Sequence, residues 1–256
     1  MRADDGVSLY WTADGPEDAP ALLLCNSIGS STVMWAPQLA ALAARFRVIR
    51  HDPRGHGQSD APEGDYRLYR LALDALAVLD AAGAATAHVC GLSLGGAVAQ
   101  QLAISNPERI DRLILANTAA RIGSAEGWSQ RIAAVREGGL ASIADMAIGR
   151  FFAPDFIQAH PEAVAPIREA LLATPDQGYI GACAALRDAD LTQAVGAVSA
   201  PTLVIGGRLD VSTPPDQTEA LAAAIPDARH IVLDAAHLSN IEQLEAFNRA
   251  VAGFLF

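Results

Sequence analysis

The sequence predicts an α/β fold, a mostly parallel twisted sheet flanked by helices, with a helical cap inserted in its second half. Three observations predict it. Short apolar runs at 21–25, 48–49, 87–90 and 113–115 alternate with helical periods, and such alternation builds parallel sheets whose crossover helices cover both faces. Residues 121–190 hold helical periods, glycine pairs and prolines but no buried strand run, and strands resume at 202–205. The chain has 256 residues, 51% of them hydrophobic, enough to bury a sizeable core. The expected organisation is a core of 1–120 and 191–256, with 121–190 as a cap over the carboxyl edge of the sheet.

The elements follow in order. Residues 6–12 alternate through Val7, Leu9 and Trp11, which predicts an edge strand. Asp14-Gly15-Pro16 turns it back, antiparallel, toward the buried run at 21–25. The polar loop Asn26-Ser27-Ile28-Gly29-Ser30-Ser31 leaves that run, and Pro37 is placed to open a helix to about Ala44. The strand begun by Val48 and Ile49 ends in a compact turn, Asp52-Pro53-Arg54-Gly55-His56-Gly57. Leu68, Leu71, Leu76 and Leu79 space an amphipathic helix over 67–82, stopped by Gly83. Beyond the cap, a helix is expected over 215–224, a strand over 231–233 and a last helix over 241–254.

Formal net charge is −11 and all 18 basic residues are arginine, without a basic cluster. Nucleic acid and anionic membranes are therefore not expected partners. Met1-Arg2-Ala3-Asp4-Asp5 lacks the apolar core of a signal peptide. Residues 81–107 contain no Asp, Glu, Lys or Arg, but glycines at 83, 91, 95 and 96 mark a buried strand and helix rather than a membrane span. Cys25, Cys90 and Cys183 have no disulfide or metal spacing. The expectation is a cytoplasmic, reduced protein with no cofactor and no metal.

The chemistry centres on Cys90-Gly91-Leu92-Ser93-Leu94-Gly95-Gly96. An apolar run before it and a helical run after it make strand, sharp Gly-x-Ser-x-Gly turn, helix: the nucleophile elbow of the α/β-hydrolases. The plainer alternative is a glycine-rich turn whose serine caps the helix. A serine hydroxyl needs a base to take its proton and an acid to orient that base. In this fold they follow in the order serine, acid, histidine. Asp210, after the strand at 202–205, and His237, after the strand at 231–233, both fall on loops at the carboxyl edge. Asp234 is the competing acid. His51, His56, His88, His160 and His230 fit the order or the edge less well and are read as structural. Two N–H donors must face the oxyanion. Leu94, after the nucleophile, is one, and Ile28, in the loop after 21–25, is the candidate for the other.

With these residues in view, the chain resembles the 3-oxoadipate enol-lactonases, α/β-hydrolases of aromatic catabolism. The resemblance rests on Asn26-Ser27-Ile28-Gly29 with Met34-Trp35, on Asp-Pro-Arg-Gly-His-Gly, on Gly-Leu-Ser-Leu-Gly-Gly and on Ala236-His237-Leu238-Ser239-Asn240-Ile241-Glu242. Trp128 and Arg131, followed by Ala133-Ala134-Val135-Arg136, extend it into the cap. It implies a small anionic enol-lactone with a carboxymethyl arm as substrate. Trp128, Arg131, Ile132 and Val135 share one helix face, where Arg131 either snorkels, pairs with an acid, or meets the substrate carboxylate while Trp128 walls the ring. Two other functions stay open: a general carboxylesterase or C–C bond hydrolase with the same triad, and a binding module without turnover. A haloalkane dehalogenase would need aspartate at position 93.

Overall fold

The computed structural model describes residues 1–255. Seven strands, β1 (Trp11–Asp14), β2 (Ala21–Cys25), β3 (Arg47–His51), β4 (Ala87–Leu92), β5 (Ile110–Ala116), β6 (Thr202–Gly207) and β7 (Arg229–Leu233), form one sheet. Its spatial order is β1-β3-β2-β4-β5-β6-β7. Only β1 is antiparallel, to β3, and the other pairings are parallel. The central strands are dry on both faces, with Leu22, Leu23, Leu24, Val89 and Leu113 fully buried, as a sheet covered by helices requires.

In the first half, helices α1 (Leu39–Leu42), α2 (Leu68–Ala81) and α3 (Leu94–Ser105) connect the strands. Between β5 and β6 come α4 (Ala125–Gly138), α5 (Ala144–Phe151), α6 (Pro154–Ala159), α7 (Pro161–Ala173) and α8 (Asp176–Asp188), followed after β6 and β7 by α9 (Pro215–Ala224), α10 (Ser239–Glu242) and α11 (Leu244–Leu255). Helix α8 seats its block on the rest: residues 178–186 are all buried. Gly178 is in backbone contact with Gly55, and a Cβ there would lie 2.0 Å from Gly55 O. Gly181 lies flat against the Tyr66 ring.

Four local expectations need correction. The edge strand starts at Trp11 rather than Gly6, because Gly6 takes a positive φ of 85° and the chain before it makes only an isolated bridge, Arg2 to Ser8. It pairs with β3 and not with β2, since the β2–β3 crossover is long enough for parallel β3 to dock between them. Pro37 does not open a helix: it lies inside a 3₁₀ helix over Thr32–Gln38 whose start is capped by the Ser31 hydroxyl, with α1 following. The last helix is two, because Gln243 leaves the helical region between α10 and α11. The 67–82 helix, its Gly83 stop and the 215–224 helix stand within a residue of expectation. Among the described residues, no helix is long and apolar enough to cross a membrane.

Candidate active site

Every parallel strand delivers its following loop to the same edge of the sheet. At that edge β4 ends in Ser93, β2 in the loop holding Ile28, β6 in Asp210, and β7 in His237. Ser93 has φ 58° and ψ −118°, a strained conformation for a residue with a side chain, and the one a tight strand-to-helix reversal demands. Two glycines make it possible. A Cβ on Gly91 would lie 2.1 Å from Gly95 O, and one on Gly95 would lie 2.1 Å from Cys25 O. The reversal is tied to the end of β5: Ser93 N–H donates to Ala116 O (3.0 Å) and Thr118 Oγ1 donates to Ser93 O (2.9 Å).

Asp210 and His237 meet although 27 residues apart. His237 Nδ1 donates to Asp210 Oδ2 at 2.7 Å, with both side chains buried. The same oxygen accepts from Thr213 Oγ1 (2.7 Å) and Asn117 Nδ2 (3.0 Å), while Oδ1 accepts from the N–H groups of Ser212 (2.7 Å) and Thr213 (3.0 Å). Burial works against the charge on Asp210, but the attraction of His237 and these hydrogen bonds outweigh it, and the carboxyl is held down at about 2. Asn117, itself at a positive φ of 45°, is oriented by Ser239, whose hydroxyl donates to Asn117 Oδ1 at 2.5 Å. Asp234 is elsewhere, exposed and paired with Arg208.

The imidazole of His237 stacks on Phe151 of α5, with ring centroids 6.1 Å apart and planes 14° from parallel. Leu238 N–H donates to Phe151 O (2.9 Å), and Glu242 accepts from both Ala236 N–H and Ala153 N–H. The histidine loop is thus bonded directly to the helical block. Burial raises the Glu242 carboxyl above its ordinary range even though it holds both N–H groups.

Ser93 and His237 open into a cavity of about 470 Å³ together with Ile28, Trp128, Arg131 and Phe151. Ser93 Oγ makes no hydrogen bond to any described residue, as is common before substrate binds. Among the described residues no carboxylate lines the cavity, and the only charged groups there are Arg131 and Arg150. Arg131 Cζ lies 4.9 Å from the centroid of the Trp128 ring, Nη1 reaches Tyr179 Oη at 3.5 Å, and Nη2 is 3.7 Å from Met146 Sδ. Trp128 is braced by its indole N–H donating to Ile122 O (2.6 Å). Ile132 and Val135, on the same helix face, are buried in packing and stay out of the cavity.

The remaining histidines have other occupations. His230 contacts Thr218, His160 pairs with Glu162, and His88 packs edge-on to Phe46. His51 is buried beside Asn26. Among the described residues no cluster of His, Cys, Asp and Glu could hold a metal, and the three cysteines are buried and unpaired. Sequence reasoning missed Arg150, Asn117, Thr213 and Ser239. Asn117 had a usable signal, since it follows the apolar run at 113–115 at the catalytic edge; Arg150 had none.

Comparisons with known proteins agree with this geometry. A family model of the α/β-hydrolase fold matches residues 20–244. A 3-oxoadipate enol-lactonase of Acinetobacter baylyi is 42% identical over 251 residues, covering 98% of this chain and 94% of that one. The crystal structure of an enol-lactonase from Burkholderia xenovorans superposes with a TM-score of 0.96 at 42% identity, over 97% and 96% of the two chains. A hydrolase from Pseudomonas aeruginosa superposes with a TM-score of 0.97 at 44% identity, over 100% and 97%.

Proposed function

The chain belongs to the α/β-hydrolase family, among the 3-oxoadipate enol-lactonases, and from that premise we propose how its residues open the lactone ring. It is a carboxylic ester hydrolase that converts 3-oxoadipate enol-lactone to 3-oxoadipate in aromatic-compound degradation. Ser93 attacks the lactone carbonyl while His237, oriented by Asp210, takes its proton. The main-chain N–H groups of Ile28 and Leu94 hold the oxyanion. Collapse breaks the ring C–O bond and expels an enolate, which takes the proton from His237 and tautomerises to the ketone. That removes the tethered nucleophile and makes the opening one-way. His237 then takes a proton from water, whose oxygen attacks the acyl-enzyme and releases 3-oxoadipate.

Residues 121–190 act as the cap, over a core of 1–120 and 191–256. The carboxymethyl arm of the substrate lies against Arg131, and the ring against Trp128. One observation supports this most: in a protein of net charge −11, the described residues that line the cavity beside Ser93 include two arginines and no carboxylate. A cytoplasmic location fits three unpaired cysteines.

The test is to follow loss of the enol-lactone absorbance with purified protein, alongside an aryl acetate. Saturable enol-lactone turnover on the order of 1–10³ s⁻¹ is expected, with the aryl ester far slower. Fast aryl acetate hydrolysis with an inert enol-lactone would leave a general esterase.

A further inference from the structure

The loop that carries Ile28 is gripped by an imidazole that the proposed chemistry does not use. His56 is fully buried, and its Nε2 accepts the Gly29 N–H at 2.9 Å. Its Nδ1 lies 3.2 Å from Arg54 O. A carbonyl can only accept, so Nδ1 carries the proton and Nε2 presents a lone pair. Arg54 is itself immobilised, its guanidinium held by Asp74 at 2.6 and 2.7 Å and by Asp5 at 2.9 Å. Burial pushes the imidazole down to about 4, against the pull of the Arg54 carbonyl and of Asp52, so it is neutral near pH 7.

The peptide planes around Ile28 show what this bond does. Ser27 C=O and Ile28 N–H share one plane, and Ser30 Oγ pins it by donating to Ser27 O at 2.7 Å. The next plane carries Gly29 N–H, and His56 pins that one. Gly29 has a positive φ of 69°, so its own backbone preference resists peptide rotation little. On its other side stand the α7 and α8 side chains: a Cβ at Gly29 would lie 2.5 Å from Leu171 Cδ1 and 3.1 Å from Tyr179 Cε2.

We propose that His56 is a positioning residue for the oxyanion hole: it fixes the Ile28–Gly29 peptide on one side of the Ile28 Cα while Ser30 fixes the Ser27–Ile28 peptide on the other, and together they hold Ile28 N–H toward the developing oxyanion. This rests on Ile28 being an oxyanion donor of the serine-hydrolase site. The effect is confined to the transition state, because the ground-state carbonyl needs this donor less than the tetrahedral oxyanion does.

Two near-isosteres separate positioning from filling space. His56→Gln puts an amide oxygen near the place of Nε2 and keeps an acceptor for Gly29. His56→Asn puts its amide near the place of Nδ1 and leaves Gly29 N–H unpaired. With an aryl acetate as substrate, His56→Asn should lower kcat about 10- to 100-fold with KM within about twofold, a fraction of what losing a whole donor costs. Affinity for an alkylboronic acid, which forms a tetrahedral anion on Ser93, should fall by the same factor. His56→Gln should recover most of both. Equal losses in the two variants, a loss carried by KM, or unchanged boronate affinity would overturn the proposal. Should His56→Asn fail to fold, ¹⁵N NMR of the unsubstituted protein decides: a bare Nε2 coupled to the Gly29 amide proton is expected, and a protonated Nε2 would overturn it. An incorrect substrate assignment would appear separately, as an enol-lactone inert to a parent enzyme that hydrolyses the aryl acetate.

Discussion

The two sides of the cavity treat charge in opposite ways. On the core side, Asp210 is buried with hydrogen bonds to both oxygens, from Ser212, Thr213, Asn117 and His237. On the side of the helical block, Arg131 meets, among the described residues, only a phenol, a thioether and an indole face. The contrast holds between arginines too, since Arg54, two residues before His56, is clasped by the two carboxylates of Asp5 and Asp74. A group that must stay in one place through every turnover is given its partners by the protein. A group proposed to meet a substrate anion, Arg131, has no carboxylate partner among the described residues, and an internal carboxylate would compete for it.

The hardest test of this division is to remove the groups proposed to react. Ser93→Ala and His237→Ala should each lower kcat for the enol-lactone by about 10⁴- to 10⁶-fold, and the double variant should be hardly worse than either, since triad members act as a unit. Losses that multiply would mean that the two residues serve separate steps. Next in size is Asp210→Asn, which keeps the shape but offers the imidazole the wrong partner and should cost about 10³- to 10⁴-fold in kcat. Asp234→Asn, on an exposed pair with Arg208, should be near neutral. The reverse ranking would move the acid to Asp234.

The other side should respond selectively. Arg131→Met keeps the apolar stem and removes one charge-assisted hydrogen bond of about 1.5–3 kcal/mol, so kcat/KM for the carboxylated lactone should fall about 10- to 100-fold. An uncharged aryl ester should be affected far less. Equal losses on both substrates would make Arg131 a packing residue and erase the contrast.

The smallest effect is on stability. His56 titrates at about 4 in the folded protein and near the ordinary ~6.5 when unfolded. Between these values the unfolded chain binds the proton first, so stability rises with pH there and falls as pH is lowered from ~6.5 toward about 4. Burial lowers His51 as well, adding in the same direction. Thermal melts across that range should show Tm dropping by several degrees on the acid side, and less steeply in His56→Gln. A flat Tm would mean that the histidines are not buried neutral.

Much of the candidate site was legible in the sequence because it is written in short-range patterns. A strand, a glycine turn and a helix are local, so the position of Ser93 at the catalytic edge follows from about a dozen consecutive residues. Asp210 and His237 follow from the same rule applied twice, since parallel strands must all send their next loop to one edge. The partners that hold these residues were not legible. Asn117 reaches Asp210 across 93 positions, and Ser239 reaches Asn117 across 122. Nothing periodic links them.

Hydrophobic period and turn chemistry were enough for the fold class, for the chain order of the proposed Ser93, Asp210 and His237 triad, and for the sheet edge that carries all three. Pairing came only with the folded chain: β1 joins β3, Arg150 comes to the same cavity as Arg131, and His56 takes Gly29 as its partner. The physical reason is that periodicity states which face of an element is buried, while the group waiting on the other side of that buried face is settled by packing of segments far apart in the chain.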